Sequence, residues 1–302
     1  MRREKKNTVY FSAILPKRHP EFFEALTTVL SQNRVSWELL PYTKDIWCRD
    51  YMPVFRPAGV ERQFAGVEDS FVLFKYSPSY LQTKKWRSTI TNAVKTCQSI
   101  GIDQRPFDLV VDGGNIVRFE WKAIMTEQVY RENPEESSVR GIMKDVLNVE
   151  ELIMIPVEPG DPYGHADGCV RFIDNDRVLV NKPQRGQLIF ARRLRKVLTS
   201  RGLRIEELPY FIECDPKNKD SAVGNYLNYL ETEHLIVAPA YQDYPKYNRN
   251  ALNTLERVFA GRKKVVQVES SSLAKEGGVL NCVSWNVWVG PVATGRCRSS
   301  RL

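Results

Sequence analysis

Histidine is scarce in this sequence, since the chain of 302 residues contains only three. The six cysteines include no Cys-x-x-Cys pair and no cluster with metal-ligand spacing, which disfavours a zinc site. Six cysteines are also too few for a disulfide framework in a chain of this length, so we expect reduced thiols. The scarce residues are His19, His165, His234, Cys48, Cys97, Cys169, Cys214, Cys282 and Cys297.

Long apolar runs are also absent from the sequence. No run approaches the ~20 residues that a membrane span needs. The basic start MRREKK is followed by no small-residue cleavage site, so no secretory signal is expected. With 42% hydrophobic and 26% charged residues and no Gly-, Pro- or Ser-rich linker, the chain is typical of a globular protein. We expect a cytoplasmic protein of one domain, residues 1–302, that does not bind membranes.

The net charge of +8 does not by itself predict a nucleic-acid partner. Part of it lies in MRREKK and GRCRSSRL, at the two ends of the chain, and such basic tails are expected to be solvated and mobile. No predicted helix carries a basic face interleaved with aromatic residues, and no nucleic-acid-binding motif is present. We therefore expect no nucleic-acid partner, and the sequence leaves open whether the chain forms a homo-oligomer.

Apolar residues repeat with helical periodicity in five segments, residues 20–33, 81–100, 137–149, 186–202 and 248–261. Short β-branched and aromatic runs between them are typical of strands, and GVLNCVSW, residues 278–285, is one of these. Each helix is thus flanked by two or three strands in a unit of roughly sixty residues. This regular order predicts an α/β fold built from five structural repeats.

Polar residues interrupt the apolar runs once in each repeat. Asp50, Asp112, Asp167, Asn225 and Cys282 are separated by 62, 55, 58 and 57 residues. In closed radial repetition of small sheets, the equivalent loops of all repeats meet at one axis. The spacing therefore predicts that these side chains line a single central pocket.

Taken alone, each of these motifs has a simpler interpretation. Asp50 in WCRDYMP could form a surface pair with Arg49, and Asp112 in VVDGGNI suits a tight hairpin turn. In GHADGCV, His165 and Asp167 lie two residues apart, so on a strand they would face the same side. They could form a structural pair there, or a metal site together with Cys169.

Taken together, the residues favour chemistry on a guanidinium group. A cysteine nucleophile needs a nearby base or an electropositive setting, and a single histidine can act as base and then as acid. Two carboxylates beyond the one that orients the histidine would suit a planar cation with forked N–H donors. Amide hydrolysis requires an oxyanion hole, which three converging carboxylates would oppose electrostatically.

The motifs WCRDYMP, DGGN, GHADG, GNYLNYLETEHLIVAPAY and EGGVLNC resemble, in order and spacing, those of the agmatine deiminase and bacterial-type peptidylarginine deiminase family. That family belongs to the guanidine-modifying (pentein) superfamily, and the resemblance spans residues ~40 to ~290. It implies a five-bladed α/β propeller of ββαβ repeats. It also implies a hydrolase that needs no cofactor and no metal, with a small guanidino compound as its substrate.

The resemblance implies a role for each matching residue. Cys282 matches the nucleophile and His165 the general acid and base. Asp50 and Asp167 match the carboxylates that hold the guanidinium, and Asp112 takes the place of a Glu that orients the histidine. The other matching positions are Trp47, expected to pack near the substrate, Arg49, expected to brace Asp50, and the backbone glycines Gly113, Gly114, Gly277 and Gly278.

The sequence departs from the family pattern at three positions. Asp112 is one methylene shorter than the usual Glu, Met52 replaces a Gly, and Asn281 replaces a frequent His. From the matching residues, the first hypothesis is deimination of agmatine, arginine or a peptidyl-arginine-like compound through a covalent thiouronium intermediate. Amidino transfer on the same fold and a catalytically impaired guanidinium-binding protein are the alternatives.

Overall fold

The computed structural model describes residues 8–57, 70–213, 218 and 220–287. The predicted mobile tails at the two ends, together with Cys214 and Cys297, lie outside these residues. The described part contains fifteen strands, which are β1 Thr8–Ser12, β2 Ser36–Leu40, β3 Val54–Arg56, β4 Ser70–Lys75, β5 Arg105–Val110, β6 Val117–Phe119, β7 Lys122–Thr126, β8 Glu151–Ile155, β9 Val170–Phe172, β10 Arg177–Asn181, β11 Arg204–Leu208, β12 Leu230–Glu231, β13 Leu235–Ala240, β14 Lys264–Glu269 and β15 Ser284–Val287.

The strands are connected by helices and by short 3-10 turns. The α-helices are α1 Leu15–Arg18, α2 Pro20–Gln32, α3 Cys48–Tyr51, α4 Lys84–Arg87, α5 Ala93–Ser99, α6 Gln128–Glu132, α7 Val139–Leu147, α8 Leu188–Ser200, α9 Pro245–Val258 and α10 Ser271–Ala274. The 3-10 turns are Ser79–Leu81, Gly113–Asn115, Ala166–Gly168 and Arg185–Gln187.

The strands form five sheets of three strands each, in the orders β15-β1-β2, β3-β4-β5, β6-β7-β8, β9-β10-β11 and β12-β13-β14. In every sheet the first strand is antiparallel to the middle strand, and the middle strand is parallel to the third. Parallel neighbours need a crossover connection, which is helical in each sheet. The predicted five-bladed propeller of ββαβ units is confirmed.

The first blade is assembled from both ends of the described chain. β15 pairs antiparallel with β1, with Thr8 opposite Val287, so the ring of blades closes on itself. Residues of the five edge strands β3, β6, β9, β12 and β15 surround a central cavity of about 320 Å³. The edge strands are therefore the inner strands of the propeller, and the turns that precede them meet at the axis.

The helices cover the blades with the apolar faces that their periodicity predicts. Leu26 and Leu30 of α2 and Leu255 of α9 are fully buried in the largest core cluster. Burial of such side chains is the main favourable contribution to the free energy of folding. None of the helices in the described ranges is both long and apolar enough to cross a membrane.

Three local predictions are wrong. The helix predicted over 81–100 is two short helices, because Thr83 caps α4 and Asn92 caps α5 with hydrogen bonds to backbone N–H groups. Cys282 does not interrupt a strand, since β15 begins two residues later. Asp167 lies in the Ala166–Gly168 turn and His165 directly precedes it, so neither lies in a strand.

Candidate active site

The turns that lead into the inner strands place the predicted polar side chains at the propeller axis. Asp50 lies in α3, ahead of β3, and Asp112 directly precedes the Gly113–Asn115 turn, ahead of β6. Asp167 lies in the turn ahead of β9, and Cys282 in the turn ahead of β15. The sixty-residue spacing thus reflects one equivalent position in each blade.

His165 is held between two carboxylates. Its Nε2 lies 2.9 Å from Asp112 Oδ2, and its Nδ1 lies 3.7 Å from Asp50 Oδ1. Asp50 Oδ1 also accepts a hydrogen bond from the backbone N–H of Gly114 at 3.0 Å. Asp112 therefore reaches the histidine despite its shorter side chain, and the imidazole is fixed with Nδ1 on the side of Asp50.

The two glycines after Asp112 allow the blades to approach this closely. A Cβ on Gly113 would lie 2.0 Å from the carbonyl oxygen of Arg49, and one on Gly114 would lie 2.7 Å from His165 Nδ1. Both distances are far below van der Waals contact. The glycines are thus backbone spacers between the Asp50 turn and the histidine, as the sequence predicts.

Cys282 lies beside Asp167. Its Sγ is 3.9 Å from Asp167 Oδ2, and the same oxygen accepts a hydrogen bond from Asn281 Nδ2 at 2.6 Å. Arg49 donates its backbone N–H to the carbonyl of Cys282 at 3.1 Å and its Nε–H to that of Asn281 at 3.4 Å. The hydrogen bonds of Arg49 therefore hold the Cys282 turn.

Two further residues support the site and were missed by the sequence reasoning. The side-chain oxygen of Asn228 accepts the backbone N–H groups of Val279 and Cys282, at 3.2 and 3.3 Å. Tyr80 donates its hydroxyl to Asp112 Oδ2 at 2.7 Å. A second Asn three residues after Asn225 in GNYLNYLE was the only signal for Asn228, and the sequence around Tyr80 carries none.

Burial and mutual charge set the protonation of the site. Burial raises the pKa of the Cys282 thiol well above its usual range, and the charges of Asp167 and Asp50 raise it further. Burial likewise raises the pKa of Asp50. For His165, burial lowers the pKa, but the charges of Asp50, Asp112 and Asp167 outweigh that effect and raise it. Without a bound cation, the thiol and imidazolium forms are therefore favoured at neutral pH.

A cavity of about 410 Å³ leads from the surface to these groups. His165, Asp167 and Cys282 line it, and Asp50 and Asp112 are buried next to the two ring nitrogens of the histidine. Asn225 also lines the cavity, where it donates to the carbonyl of Gly168. The structure thus brings together four of the five repeat positions around His165 and places the fifth in the wall.

The outer part of the cavity is acidic. Glu158, Asp161 and Asp220 line it, while the described lining residues include no lysine or arginine. Glu158 accepts a hydrogen bond from Gln187, and burial, followed by the charge of Asp161, raises its pKa to about 7. Among the described lining residues, a cation entering this cavity would meet carboxylates and no basic side chain.

Two further predictions concern Trp47, which is expected to pack near the substrate, and Cys169, which is a candidate metal ligand. Trp47 lies against Gly278, where an added Cβ would be 2.6 Å from Trp47 Cζ3 and 3.1 Å from Cys282 Sγ. Cys169 Sγ lies 3.5 Å from Glu158 Oε2 and 3.5 Å from the carbonyl of His165, and it is buried. No group of three or more potential ligand side chains in the described ranges is arranged to hold a metal ion.

The family of the chain follows from its sequence. The model of the Porphyromonas-type peptidyl-arginine deiminase family matches residues 14–287. The chain belongs to this deiminase family. The resemblance inferred from the motifs is therefore confirmed. No curated protein matches the sequence.

Solved structures share the fold at low sequence identity. The C. jejuni agmatine deiminase is 15% identical with a TM-score of 0.75, over 95% of this chain and 94% of the other. An agmatine deiminase of Enterococcus faecalis is 19% identical with a TM-score of 0.70, over 93% of each chain. A DDAH from Pseudomonas aeruginosa, in complex with citrulline, is 11% identical with a TM-score of 0.54, over 94% of this chain and 100% of the other. These similarities establish the pentein fold of this member of the family.

Proposed function

We propose that the protein is a cytoplasmic hydrolase that converts a guanidino cation into a ureido product and ammonia. The observation that carries this proposal is the grouping of the Cys282 thiol, His165 and Asp167 on the wall of one acidic cavity, with the Asp50 carboxylate 3.7 Å from His165 Nδ1. A reduced thiol at its centre is consistent with a cytoplasmic setting. No cofactor is required by the chemistry below.

The guanidinium would be held by Asp50 and Asp167. Planar guanidinium N–H groups pair with carboxylate oxygens through charge-assisted hydrogen bonds. Both carboxylates are buried, so they lack water that would otherwise solvate their charges. The bound cation neutralises them and removes much of the electrostatic field that raises the pKa of Cys282. Substrate binding therefore promotes the thiolate that attacks it.

The reaction proceeds in two halves. In the first, the Cys282 thiol releases its proton to water and Sγ forms a bond to the guanidinium carbon. The C–N bond to one amino group then breaks as His165 donates a proton to that group, and ammonia leaves. In the second, neutral His165 removes a proton from water, whose oxygen attacks the thiouronium carbon. The C–S bond then breaks and releases the ureido product, whose hydroxyl proton passes to the Cys282 thiolate, while His165 keeps the proton that it took from water.

The acidic outer cavity supports a substrate with a second positive charge. Asp161 and Asp220, together with Glu158 in its ionised form, would attract an ammonium group on the substrate tail and repel a carboxylate. Of the substrates that the sequence left open, this favours agmatine over free arginine or a peptide that ends in arginine. The proposed substrate class is therefore a guanidinoalkyl amine.

A colorimetric screen for ureido products over a panel of guanidino compounds tests the proposal. We expect product from agmatine, with kcat/KM at least about tenfold higher than for arginine. The reason is that the outer carboxylates attract the ammonium group of agmatine and repel the carboxylate of arginine. The Cys282→Ala variant is the blank. A new guanidine in place of the ureido compound would show amidino transfer, and absence of any product would show a binding protein; either result would overturn the proposal.

A further inference from the structure

Tyr80 is half-buried against the site and comes from a part of the chain that contains none of the family motifs. It lies in the Ser79–Leu81 turn, between β4 and α4. Its hydroxyl donates to Asp112 Oδ2 at 2.7 Å, and its ring packs edge-on against Tyr163 with centroids 5.0 Å apart. Tyr163 in turn lies 6.0 Å from the ring of His165. The phenol thus approaches the histidine through its carboxylate partner.

Two donors share a single oxygen of Asp112. Tyr80 and His165 both bind Oδ2, at 2.7 and 2.9 Å, whereas buried Oδ1 has no hydrogen-bond partner within the described residues. A hydrogen bond from the phenol withdraws negative charge from the oxygen that attracts the imidazolium proton. Burial and the charge of Asp112 raise the pKa of Tyr80, so the phenol stays protonated and remains a donor.

The turn that carries Tyr80 is fixed independently of the site. Both the backbone N–H and the hydroxyl of Ser79 donate to the carboxylate of Glu132 in α6, at 2.9 and 2.8 Å. Gln128 donates to the same carboxylate at 2.8 Å. The position of the phenol is therefore set before a substrate arrives, which is what a residue that tunes the resting site requires.

We propose that Tyr80 is a positioning residue that limits the pull of Asp112 on the His165 proton, and so keeps His165 able to release it. This inference rests on the proposed function. It explains how a shorter carboxylate can serve a histidine that must act as an acid and then as a base. Without the phenol, Asp112 would hold the imidazolium more strongly.

Several other groups act on the same histidine. The groups that face His165 directly or through a neighbour are the carboxylates of Asp50, Asp112 and Asp167, the thiol of Cys282, and the phenols of Tyr76, Tyr80 and Tyr163. Of these phenols, Tyr80 donates a hydrogen bond to Asp112, whose carboxylate also binds Nε2 of His165. Its removal should therefore raise the pKa of His165 while the other charges stay in place.

The test combines NMR titration with kinetics. The chain has only three histidines, so the imidazole signals of 15N-labelled protein can be assigned with a His165→Gln variant. In Tyr80→Phe we expect the pKa of His165 to rise by about 0.5 to 1 unit, as for loss of one hydrogen bond to its charged partner. The alkaline limb of kcat/KM should move upward by the same amount, with kcat lowered about 3- to 10-fold and KM nearly unchanged.

Two controls separate this role from simple packing. Tyr130→Phe, at an exposed site in α6, should change neither the His165 titration nor the kinetics. In an Asp112→Asn background, Tyr80→Phe should have less than about a twofold further effect, because coupled residues are not additive. An unmoved His165 titration, or fully additive effects, would refute the role of Tyr80. The NMR result holds whether or not ureido product forms, so it is distinct from failure of the proposed function.

Discussion

At the scale of single residues, Glu158 in the acidic cavity makes the stability of the protein depend on pH. Burial raises its pKa to about 7, above the ordinary value of 4.5. The folded state therefore binds a proton more tightly than the unfolded state between these two pH values. It follows that the free energy of unfolding decreases as pH rises through this window.

Replacement of Glu158 by Gln should remove this pH dependence. In the absence of substrate, we expect Glu158→Gln and the wild type to be about equally stable at pH 4.5. At pH 8 the variant should be more stable by about 2 kcal/mol, since one pKa unit corresponds to about 1.4 kcal/mol and partial exposure reduces the full value. Urea unfolding at both pH values measures the difference.

The matched control is Glu150→Gln, at an exposed position outside the cavity. It should follow the wild-type dependence of stability on pH. Equal stability of Glu158→Gln and the wild type at pH 8 would show that folding does not raise the pKa of Glu158.

Residue identity and spacing were sufficient to predict that Asp50, Asp112, Asp167 and Cys282 meet around His165. These residues are polar interruptions of apolar segments, so they are visible in the sequence. Tyr80 could not be predicted, because tyrosine is common in packed structure and its role depends on one contact across 32 residues. A polar residue within an apolar segment can be recognised in the sequence, because its burial is costly unless it has a partner in the fold.

At the scale of elements, the turn before β15 fixes the position of Cys282. Gly277 has a φ of 102°, in the region that favours glycine, and Asn228 binds the N–H groups of Val279 and Cys282. These constraints form a tight turn where the apolar pattern of GVLNCVSW predicted a strand. The pattern identified burial correctly, since Val279 and Val283 are fully buried, but burial does not distinguish a packed turn from a strand.

Gly278 in this turn should tolerate no side chain. Its added Cβ would lie 2.6 Å from Trp47 Cζ3 and 3.1 Å from Cys282 Sγ, so one of the two must move. We expect Gly278→Ala to reduce kcat/KM at least about tenfold and to lower the free energy of unfolding by about 1–3 kcal/mol, as for overpacking. Steady-state kinetics and urea unfolding measure the two effects.

Gly141→Ala in α7 is the matched control. An added Cβ there meets no atom within 4 Å. Alanine is the better helix former, so stability should stay equal or increase by up to about 1 kcal/mol, with unchanged activity. Full activity of Gly278→Ala would contradict the close packing of Trp47 and Cys282.

At the scale of the whole molecule, closure of the ring determines which residues can share a site. β1 and β15 come from opposite ends of the described chain and complete one blade. The sequence predicted five units from regular spacing, but it could not predict this pairing in detail, because strand pairing between distant segments is a tertiary property. The closed ring brings Cys282 beside Asp167, 115 residues earlier in the chain.

The central claim is that Cys282 forms a covalent intermediate with a guanidino substrate. The most direct measurement is acid quenching during turnover of agmatine, followed by mass spectrometry of the intact protein and its peptides. We predict an adduct on Cys282 with the mass of the substrate minus ammonia, and neither adduct nor ureido product in Cys282→Ala. Ureido product formed by Cys282→Ala at the wild-type rate, or an adduct on another cysteine, would contradict the account.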